Sequence, residues 1–358
     1  MNHVRCSLII GLIVISLILS SCTSHIYHVA YPTLSDGKYD SEFPYKSCSE
    51  QLEKIGETIR LLNCIVSYKS YIFPQGSALR KSDLTIDMIE KQAERVQYIN
   101  NTSSGTATVI YSQAFKVAVM TCAHIVIFPD TMVTYFSDHE GMPTEYVQSI
   151  ALRQSQLNYI ADLPESSEME ILAVDKSNDI AILGKTFEKP SVKAITVFDY
   201  PVGHAKELEW GTFVYMFGYP LTNKMVTKAI VSSPNKDTRG SFLLDAVFNR
   251  GFSGGIILAV RDGVPNFELV GMVSSVPAEY ENMLTPSQAN SNVEYNANIP
   301  YQGEIYVNRK INIKYGVTRA ISVETLKDFV EKNKSIIESK GYYITSFFEQ
   351  QRARPDQP

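Results

Sequence analysis

The sequence predicts an all-β protein, arranged as a sandwich or barrel, and three observations carry this prediction. Beyond Gly105, short apolar and β-branched runs follow one another, with turn-forming residues between them. Almost no helical periodicity occurs among these runs, which favours packed or closed sheets over a helical bundle. An aromatic content of 11%, mostly Tyr and Phe, is also typical of β-rich proteins.

The expected strands are short, and a hairpin signal at Ser112-Gln113 separates the first two. Their alternating or uniformly apolar composition predicts partly or fully buried positions in sheets. In chain order they are expected over residues 106–111, 116–121, 170–174, 180–184, 213–218, 228–232, 255–260 and 269–274.

Three helices are expected on either side of this β region. Apolar residues recur at helical spacing from Leu52 to Leu62, which predicts a helix over about 49–66. A shorter helix is expected over 84–96. The last is expected over 322–337, where Ser322 is a suitable N-cap residue.

The first 22 residues resemble a bacterial lipoprotein signal peptide. Arg5 supplies a positive start, and residues 8–19 form an apolar run that is short for a membrane span. The run ends in small residues before Cys22, where a lipobox is cleaved and lipidated. We therefore expect a lipid on Cys22 and a place in the bacterial cell envelope, in the outer membrane or at the periplasmic face. A plain secretory signal and an uncleaved helical anchor are the alternatives.

After the signal we expect a tether and helical segment over 23–97, a catalytic domain over 98–337 and a tail over 338–358. Apolar residues at 44% and charged residues at 20% are ordinary for a globular protein. A net charge of −5 leaves no basic footprint for nucleic acid. Cys48 and Cys64 could pair in an oxidising compartment, provided that a turn separates them. Cys122 is expected to be a small buried hydrophobe.

Three segments carry residues suited to nucleophilic catalysis. His124 follows an apolar strand, Asp179 begins another, and Ser253 lies among glycines that allow a tight turn. Ser253 would attack a carbonyl, His124 would move the proton, and Asp179 would orient the imidazole. The N–H groups of Gly251 and Ser253 would form an oxyanion hole. Each segment alone is common, but the order His, Asp, Ser within one β-rich region makes coincidence improbable.

These segments resemble trypsin-like serine proteases, and more narrowly the bacterial HtrA (Deg) branch. Residues 121–124, 179–183 and 245–255 match the family's patterns. The last reads Asp-Ala-Val-Phe-Asn-Arg-Gly-Phe-Ser-Gly-Gly, against Asp-Ala-Ala-Ile-Asn-Arg-Gly-Asn-Ser-Gly-Gly in that branch. The likeness covers about 98–337 and implies two perpendicular six-stranded β-barrels, with the site in the cleft between them. A following PDZ domain is not expected.

The resemblance also implies a substrate pocket and shows where this chain departs from the family. The pocket would be formed by strand 271–276 and by a residue at its base: Ser274, Ser275, Val276 and Val247. An apolar base favours small or medium apolar side chains. Phe252 replaces the branch's Asn, so we expect a changed oxyanion loop. The His124 to Asp179 interval is long, which indicates an insertion over about 130–165. Residues 277–303 lack periodicity and are expected to form a loop that gates the pocket.

The resulting expectation is a serine endopeptidase that acts on envelope or misfolded proteins. Its partners would be polypeptide substrates and the membrane, with no cofactor, no metal and no nucleic acid, and an oligomer is allowed. An inactive protease-fold lipoprotein that binds partner proteins is the main alternative, and a structural envelope lipoprotein is another. A metalloprotease is disfavoured because no HExxH occurs, and an α/β-hydrolase because its triad runs Ser, Asp, His.

Overall fold

β-strands dominate the fold, as the sequence predicts. The computed structural model describes residues 35–349, with gaps at 114, 140, 190–193, 247–248, 276–277, 287–297, 301–302, 304 and 314–315. Strands β1–β16 are Ile59–Ile72, Arg95–Gln113, Lys116–Thr121, Thr131–Ser137, Pro143–Ile160, Ser167–Glu168, Glu170–Asp175, Ile180–Thr186, Phe213–Gly218, Met225–Ser233, Phe242–Leu244, Ile256–Val260, Phe267–Ser275, Ala278–Pro286, Ile305–Ile313 and Thr318–Ser322. Helices α1–α5 are Ser49–Gly56, Ile86–Gln92, Ala123–Val126, Val323–Ser339 and Thr345–Phe348.

Strands β9–β13 and β16 form a closed barrel, called here the second barrel, in the order β10-β11-β16-β13-β12-β9. It has the six strands expected of each barrel. Every residue of β9 and of β12 is buried. Closure gives every strand of this barrel a paired neighbour on each side.

Strands β1–β8 form the first sheet, in the order β4-β5-β1-β2-β3-β8-β7, with β6 paired to β5. Eight strands stand where the resemblance implies six. Strands β4, β5 and β6 lie in the long interval between His124 and Asp179, where an insertion was expected. Beyond the core shared with the second barrel, a small separate core lies beside α2, formed by Tyr71, Phe73, Leu79, Ile89, Val147 and Ile150.

The predicted helix over 49–66 is wrong beyond Gly56, because the chain turns and continues as β1 from Ile59. From Leu62 to Ser70 every second residue of β1 is buried, including Cys64 and Val66. That two-residue period belongs to a strand, and β2 and β5 pair with β1 on its two edges. The predicted helix over 84–96 is shorter as well: α2 spans Ile86–Gln92, and β2 begins three residues later.

Two predicted connections also differ from the structure. Strand β2 continues through Ser112 and Gln113, so the hairpin turn to β3 lies beyond them. Residues 277–303 were expected to be irregular, yet β14 pairs antiparallel with β15 as a two-stranded sheet. The pairing partner of β14 lies entirely beyond residue 303, so the pattern of 277–303 alone does not reveal it. The last helix matches its prediction, and the Ser322 hydroxyl accepts the Thr325 N–H.

The end of the expected tether is packed on the second barrel. Tyr39 is buried and its hydroxyl donates to Glu268 at 2.8 Å. The N–H of Asp40 donates to the Val260 carbonyl, and the Phe213 N–H donates to the Asp40 carbonyl, both at 2.9 Å. Residues 39 and 40 therefore belong to the folded unit, because these bonds satisfy buried polar groups of both segments.

The three cysteines of the described region are buried and free. Cys48 lies near the Tyr215 hydroxyl, whereas the Cys64 thiol donates to Asn158 Oδ1 at 3.0 Å. Their different surroundings rule out the Cys48–Cys64 pairing in this fold, and Cys122 is buried as predicted. None of the described helices has the length and apolarity needed to cross a membrane. Cys22 lies outside the described residues.

Candidate active site

The three predicted catalytic residues come from two different sheets. His124 lies in α3, directly after β3, and Asp179 directly precedes β8. Because β3 and β8 pair antiparallel with Thr121 opposite Ala181, the chain brings His124 and Asp179 to the same sheet end. Ser253 lies in the turn between β11 and β12 of the second barrel.

His124 and Asp179 form a close, doubly connected pair. The imidazole Nδ1 lies 2.9 Å from each carboxylate oxygen of Asp179. The backbone N–H of His124 also donates to Asp179 Oδ1 at 2.9 Å. The imidazole is about half exposed, so one edge of the ring is held by the carboxylate and the other remains accessible to a reacting group.

Asp179 has a left-handed backbone, with φ at 58°. This conformation is uncommon for residues other than glycine and is often found at functional sites. The turn before it is organised by Asp175, whose Oδ1 accepts the N–H groups of Ser177 at 2.9 Å and Asn178 at 3.0 Å. Asp175 therefore shapes the turn, and Asp179 is the carboxylate that reaches His124.

Asp179 also accepts a hydrogen bond from the Ser274 hydroxyl at 2.7 Å. Burial alone would raise the pKa of Asp179, but hydrogen bonds from His124 and Ser274 together outweigh burial and lower this pKa below its usual value. The carboxylate is therefore ionised at neutral pH. In this state it accepts the imidazole N–H and stabilises a positive charge on the ring.

The turn that carries Ser253 requires glycine on both sides. Gly251 has φ at 109°, and a Cβ there would lie 2.1 Å from the Tyr219 carbonyl oxygen. Gly254 has φ at 84°, and its Cβ would lie 2.1 Å from the Thr106 carbonyl oxygen. The close approach of these backbones explains why the serine is surrounded by glycines.

Ser253 makes its hydrogen bonds toward Thr106 and Ser274. Its carbonyl accepts the Thr106 N–H at 2.8 Å. Its hydroxyl donates to the Ser274 carbonyl at 2.8 Å, and within the described part of the chain no hydrogen bond joins Ser253 Oγ to His124. An ordinary hydrogen bond contributes about 0.5–1.5 kcal/mol net. Turning this hydroxyl toward the imidazole therefore costs on the order of 1 kcal/mol.

The backbone before Ser253 is held in a defined orientation. The Thr106 hydroxyl donates to the Gly251 carbonyl at 2.5 Å and accepts the Tyr219 N–H at 2.9 Å. The N–H groups of Gly251 and Ser253 make no hydrogen bond to any described residue. Phe252, which was expected to change this loop, has a buried side chain packed against Gly218. It is a core residue of the second barrel.

Ser274 was predicted to form part of the pocket wall, but its contacts are with the predicted triad. The Ser274 hydroxyl donates to Asp179, and the Ser274 carbonyl accepts from the Ser253 hydroxyl. Ser274 thus joins the two sheets at the site. Nothing in the local sequence distinguishes Ser274 from Ser275, which is half-buried and pairs with Arg319 at the end of β13. The other predicted pocket residues, Val247 and Val276, lie outside the described residues.

One group of potential metal ligands lies at this site. The ligand atoms of Cys122, His124 and Asp179 all lie within 4.8 Å of one another. Burial, and then the charge of Asp179, raise the pKa of the Cys122 thiol well above its usual value. The thiol donates to the Val273 carbonyl at 3.3 Å. A thiol that stays protonated is a poor metal ligand, so these residues do not fit a metal site.

One known protein family is similar to part of this chain. Residues 105–272 match the family model of the trypsin-like peptidase domain, a range that contains His124, Asp179 and Ser253. A comparison with proteins of curated function finds no match.

Solved structures similar to this chain include the HtrA-type protease AlgW with a decapeptide, at 15% identity and a TM-score of 0.45, covering 82% of this chain and 68% of that one. The structure of AlgW with a tripeptide is 14% identical in sequence, with a TM-score of 0.40, and the match covers 82% of this chain and 65% of that one. The serine endoprotease from Yersinia pestis is 15% identical in sequence, with a TM-score of 0.38, and the match covers 82% of this chain and 68% of that one. By this family model, residues 105–272 resemble a trypsin-like peptidase domain.

Proposed function

We propose that this chain is a serine endopeptidase that hydrolyses peptide bonds through an acyl-enzyme on Ser253. The observation that supports this most is a continuous set of hydrogen bonds that runs from His124 to Asp179, on to Ser274 and then to Ser253. It connects a base, a carboxylate and a hydroxyl nucleophile across two sheets. Acyl transfer requires these three kinds of group and also a contact between the serine hydroxyl and the imidazole, which Ser253 would gain on leaving the Ser274 carbonyl.

In the first half of the reaction, the Ser253 hydroxyl leaves the Ser274 carbonyl and donates to Nε2 of His124. As its oxygen attacks the scissile carbonyl, the proton passes to Nε2, and Asp179 stabilises the imidazolium through Nδ1–H. The N–H groups of Gly251 and Ser253 donate to the developing oxyanion. One such donor is worth about 3 kcal/mol of transition-state stabilisation.

In the second half, the C–N bond breaks and His124 returns its proton to the leaving amine. A water then donates a proton to Nε2 and attacks the acyl carbon, and the Ser253 ester breaks as Nε2 gives the proton back to Oγ. Asp179 remains a carboxylate throughout. Its low pKa, held by hydrogen bonds from His124 and Ser274, suits this role.

The substrates that we propose are polypeptides of the cell envelope or misfolded proteins, with small or medium apolar residues before the scissile bond. This rests on the predicted lipid at Cys22 and on the apolar Val247 at the predicted pocket base. A panel of peptides differing at that residue checks the preference, and a clear preference for Arg would contradict it.

A fluorophosphonate probe tests the proposed nucleophile directly. We expect the probe to label the wild-type chain and not Ser253→Ala, because only an activated serine reacts with it. The control is Ser339→Ala on helix α4, whose hydroxyl donates to the Ile336 carbonyl and which should label as the wild type does. Equal labelling of wild type and Ser253→Ala, or none in the wild type, would contradict the proposal.

A second function is favoured by one observation, the bond from the Ser253 hydroxyl to the Ser274 carbonyl. If that bond persists with substrate bound, the chain is an inactive protease-fold protein that binds partner polypeptides. Binding of a peptide without labelling by the probe would favour this second function over the first.

A further inference from the structure

Among the described strands, none pairs with the outer edge of β2 along its first half. Strand β1 pairs with β2 from Arg95 to Thr108, on one side. On the other side β3 pairs with β2 only from Thr108 onward. Within the described ranges, residues 95–104 therefore present an open edge.

Two hydrogen bonds determine which backbone groups face this open edge. The Val109 N–H donates to the Thr58 carbonyl at 2.9 Å, on the β1 side. The Thr106 N–H donates to the Ser253 carbonyl at 2.8 Å, on the opposite side. The register from 95 to 108 has no shift, so N–H and C=O groups alternate in direction along it. The residues whose backbone groups face the open edge are Val96, Tyr98, Asn100, Thr102 and Ser104.

This edge lacks the features that usually protect an edge strand. Residues 96–104 contain no proline and no charged residue, and the strand has no bulge along this stretch. The edge strands β4 and β7 differ, since each pairs with its neighbour through register shifts. An open, regular and uncharged edge is a template for pairing with another extended chain.

The open edge leads directly to the proposed nucleophile. Ser104 is the last residue whose backbone groups face the open edge. It lies two positions before Thr106, whose N–H donates a hydrogen bond to the Ser253 carbonyl. At about 3.4 Å per residue, positions 96–104 extend about 27 Å away from the site. Because β2 runs toward the site, a chain that leaves the site along this edge would run antiparallel to β2, which is the more stable pairing.

We propose that residues 96–104 of β2 bind, by strand addition, the part of a polypeptide that follows the scissile bond. The position of that bond rests on the proposed function. Main-chain groups would provide the binding. Near the site the edge-facing residues Asn100, Thr102 and Ser104 are polar, and the exposed apolar side chains of Val96 and Tyr98 lie farther away. The site would therefore favour long, extended polypeptides of varied sequence over short peptides and folded proteins.

The proposal is tested by binding to the Ser253→Ala chain, which separates recognition from turnover. The probes are fluorescent peptides of Ala, Ser and Thr that share one apolar residue at the expected cleavage position. One continues for about ten residues beyond it, enough to cover the edge, and the other for about two. Fluorescence anisotropy should show the long peptide binding about tenfold more tightly, the factor that one or two net hydrogen bonds supply.

A pair of variants at one position isolates the backbone group. Thr102→Pro removes an N–H that faces the open edge and should bring the ratio of the two dissociation constants close to one. Thr102→Ala removes the same side chain, keeps the N–H and should retain the ratio. Ser103→Pro should instead lower the melting temperature strongly, because the Ser103 N–H faces β1.

N-methylation of the long peptide checks the same contact without altering the protein. Two peptides are compared, one methylated at the odd-numbered amides and the other at the even-numbered amides. Binding should weaken only for the peptide whose methylated amides face β2. Equal affinity of the long and short peptides, or insensitivity to both Thr102→Pro and N-methylation, overturns the proposal. Occupation of the edge by a second copy also overturns it, and would appear as a dimer mass that Thr102→Pro reduces. Failure of the wild type to cleave either peptide, with edge-dependent binding intact, overturns the proposed function and not this site.

Discussion

The second barrel and the first sheet contribute to the site in different ways. The second barrel is closed, with a neighbour on each side of every strand, and it supplies Ser253 and Ser274 from a turn and a strand end. The first sheet has open edges, strands of up to 19 residues and small cores of its own, and it supplies His124 and Asp179.

This difference indicates a division of roles. Closure and a continuous core hold the nucleophile turn, where several backbones approach too closely for any side chain. The first sheet extends past the site, and its outer part packs around a separate core, so that part can vary without disturbing the turn. Four predictions follow, from the largest expected effect to the smallest.

The largest effect is expected for Asp179→Asn. Losing the carboxylate removes the acceptor that fixes the His124 tautomer and stabilises the imidazolium, so kcat should fall about 10⁴-fold. Turnover of a peptide substrate measures this. Asp175→Asn, four residues away, is the matched control and should change kcat little, because an Asn side chain can keep the turn. Comparable losses in both variants would contradict the assignment of Asp179.

The next effect concerns stability. Phe252→Ala opens a cavity in the second barrel, next to Gly218, and should lower the free energy of unfolding by about 3–5 kcal/mol. Phe73→Ala makes the same change in the small core beside α2. We expect it to raise hydrogen exchange mainly over residues 73–94 and 143–150, with labelling by the probe retained. Global unfolding in Phe73→Ala would show that the two regions are not separable.

A smaller effect is expected for Ser274→Ala, which removes the second donor to Asp179. A hydrogen bond to a charged group contributes about 1.5–3 kcal/mol, so kcat should fall roughly ten- to a hundredfold. Ser274→Thr keeps a hydroxyl at this position and should restore most of the activity. Full activity in Ser274→Ala would show that His124 alone is sufficient to orient the carboxylate.

The smallest effect is a pH-dependent gain in stability at the N-terminal segment. Asp40 is buried, and burial, helped by the nearby charges of Glu42 and Asp262, raises its pKa to about 6. Its Oδ2 accepts the Gly263 N–H, and its Oδ1 has no hydrogen-bond partner among the described residues. A pKa raised in the folded state means that the ionised carboxylate destabilises the fold above pH 6, and that this cost disappears as pH falls toward the unfolded value near 4.

Asp40→Asn should therefore be more stable than the wild type by about 1–3 kcal/mol at pH 7.5. Denaturant unfolding of both proteins should show this difference shrinking toward zero between pH 6 and pH 4. A difference for Asp40→Asn that does not depend on pH would contradict the raised pKa.

Much of the fold could be predicted because strand signals are local. The strand expected over 213–218 is β9, and the C-terminal helix begins beside its predicted cap, Ser322. The predicted elements were wrong where the apolar residues fit both a helical and a strand period, or where a strand's pairing partner is distant in the sequence. Leu52 to Leu62 satisfies a helical spacing, yet pairing with β2 and β5 makes Ile59–Ile72 a strand. Likewise, β14 is recognisable only once β15 is seen beside it.

By itself, the sequence determined the β-rich class of the protein and the three segments that carry His124, Asp179 and Ser253, because residue type, spacing and glycine content are local properties. Only the tertiary structure decided what those residues contact. The β3–β8 register selects Asp179 over Asp175, and the end of β13 makes Ser274 the link between two sheets. The unpaired edge of β2 is likewise invisible in the sequence, because a strand's edge is open or paired according to what lies beside it in space.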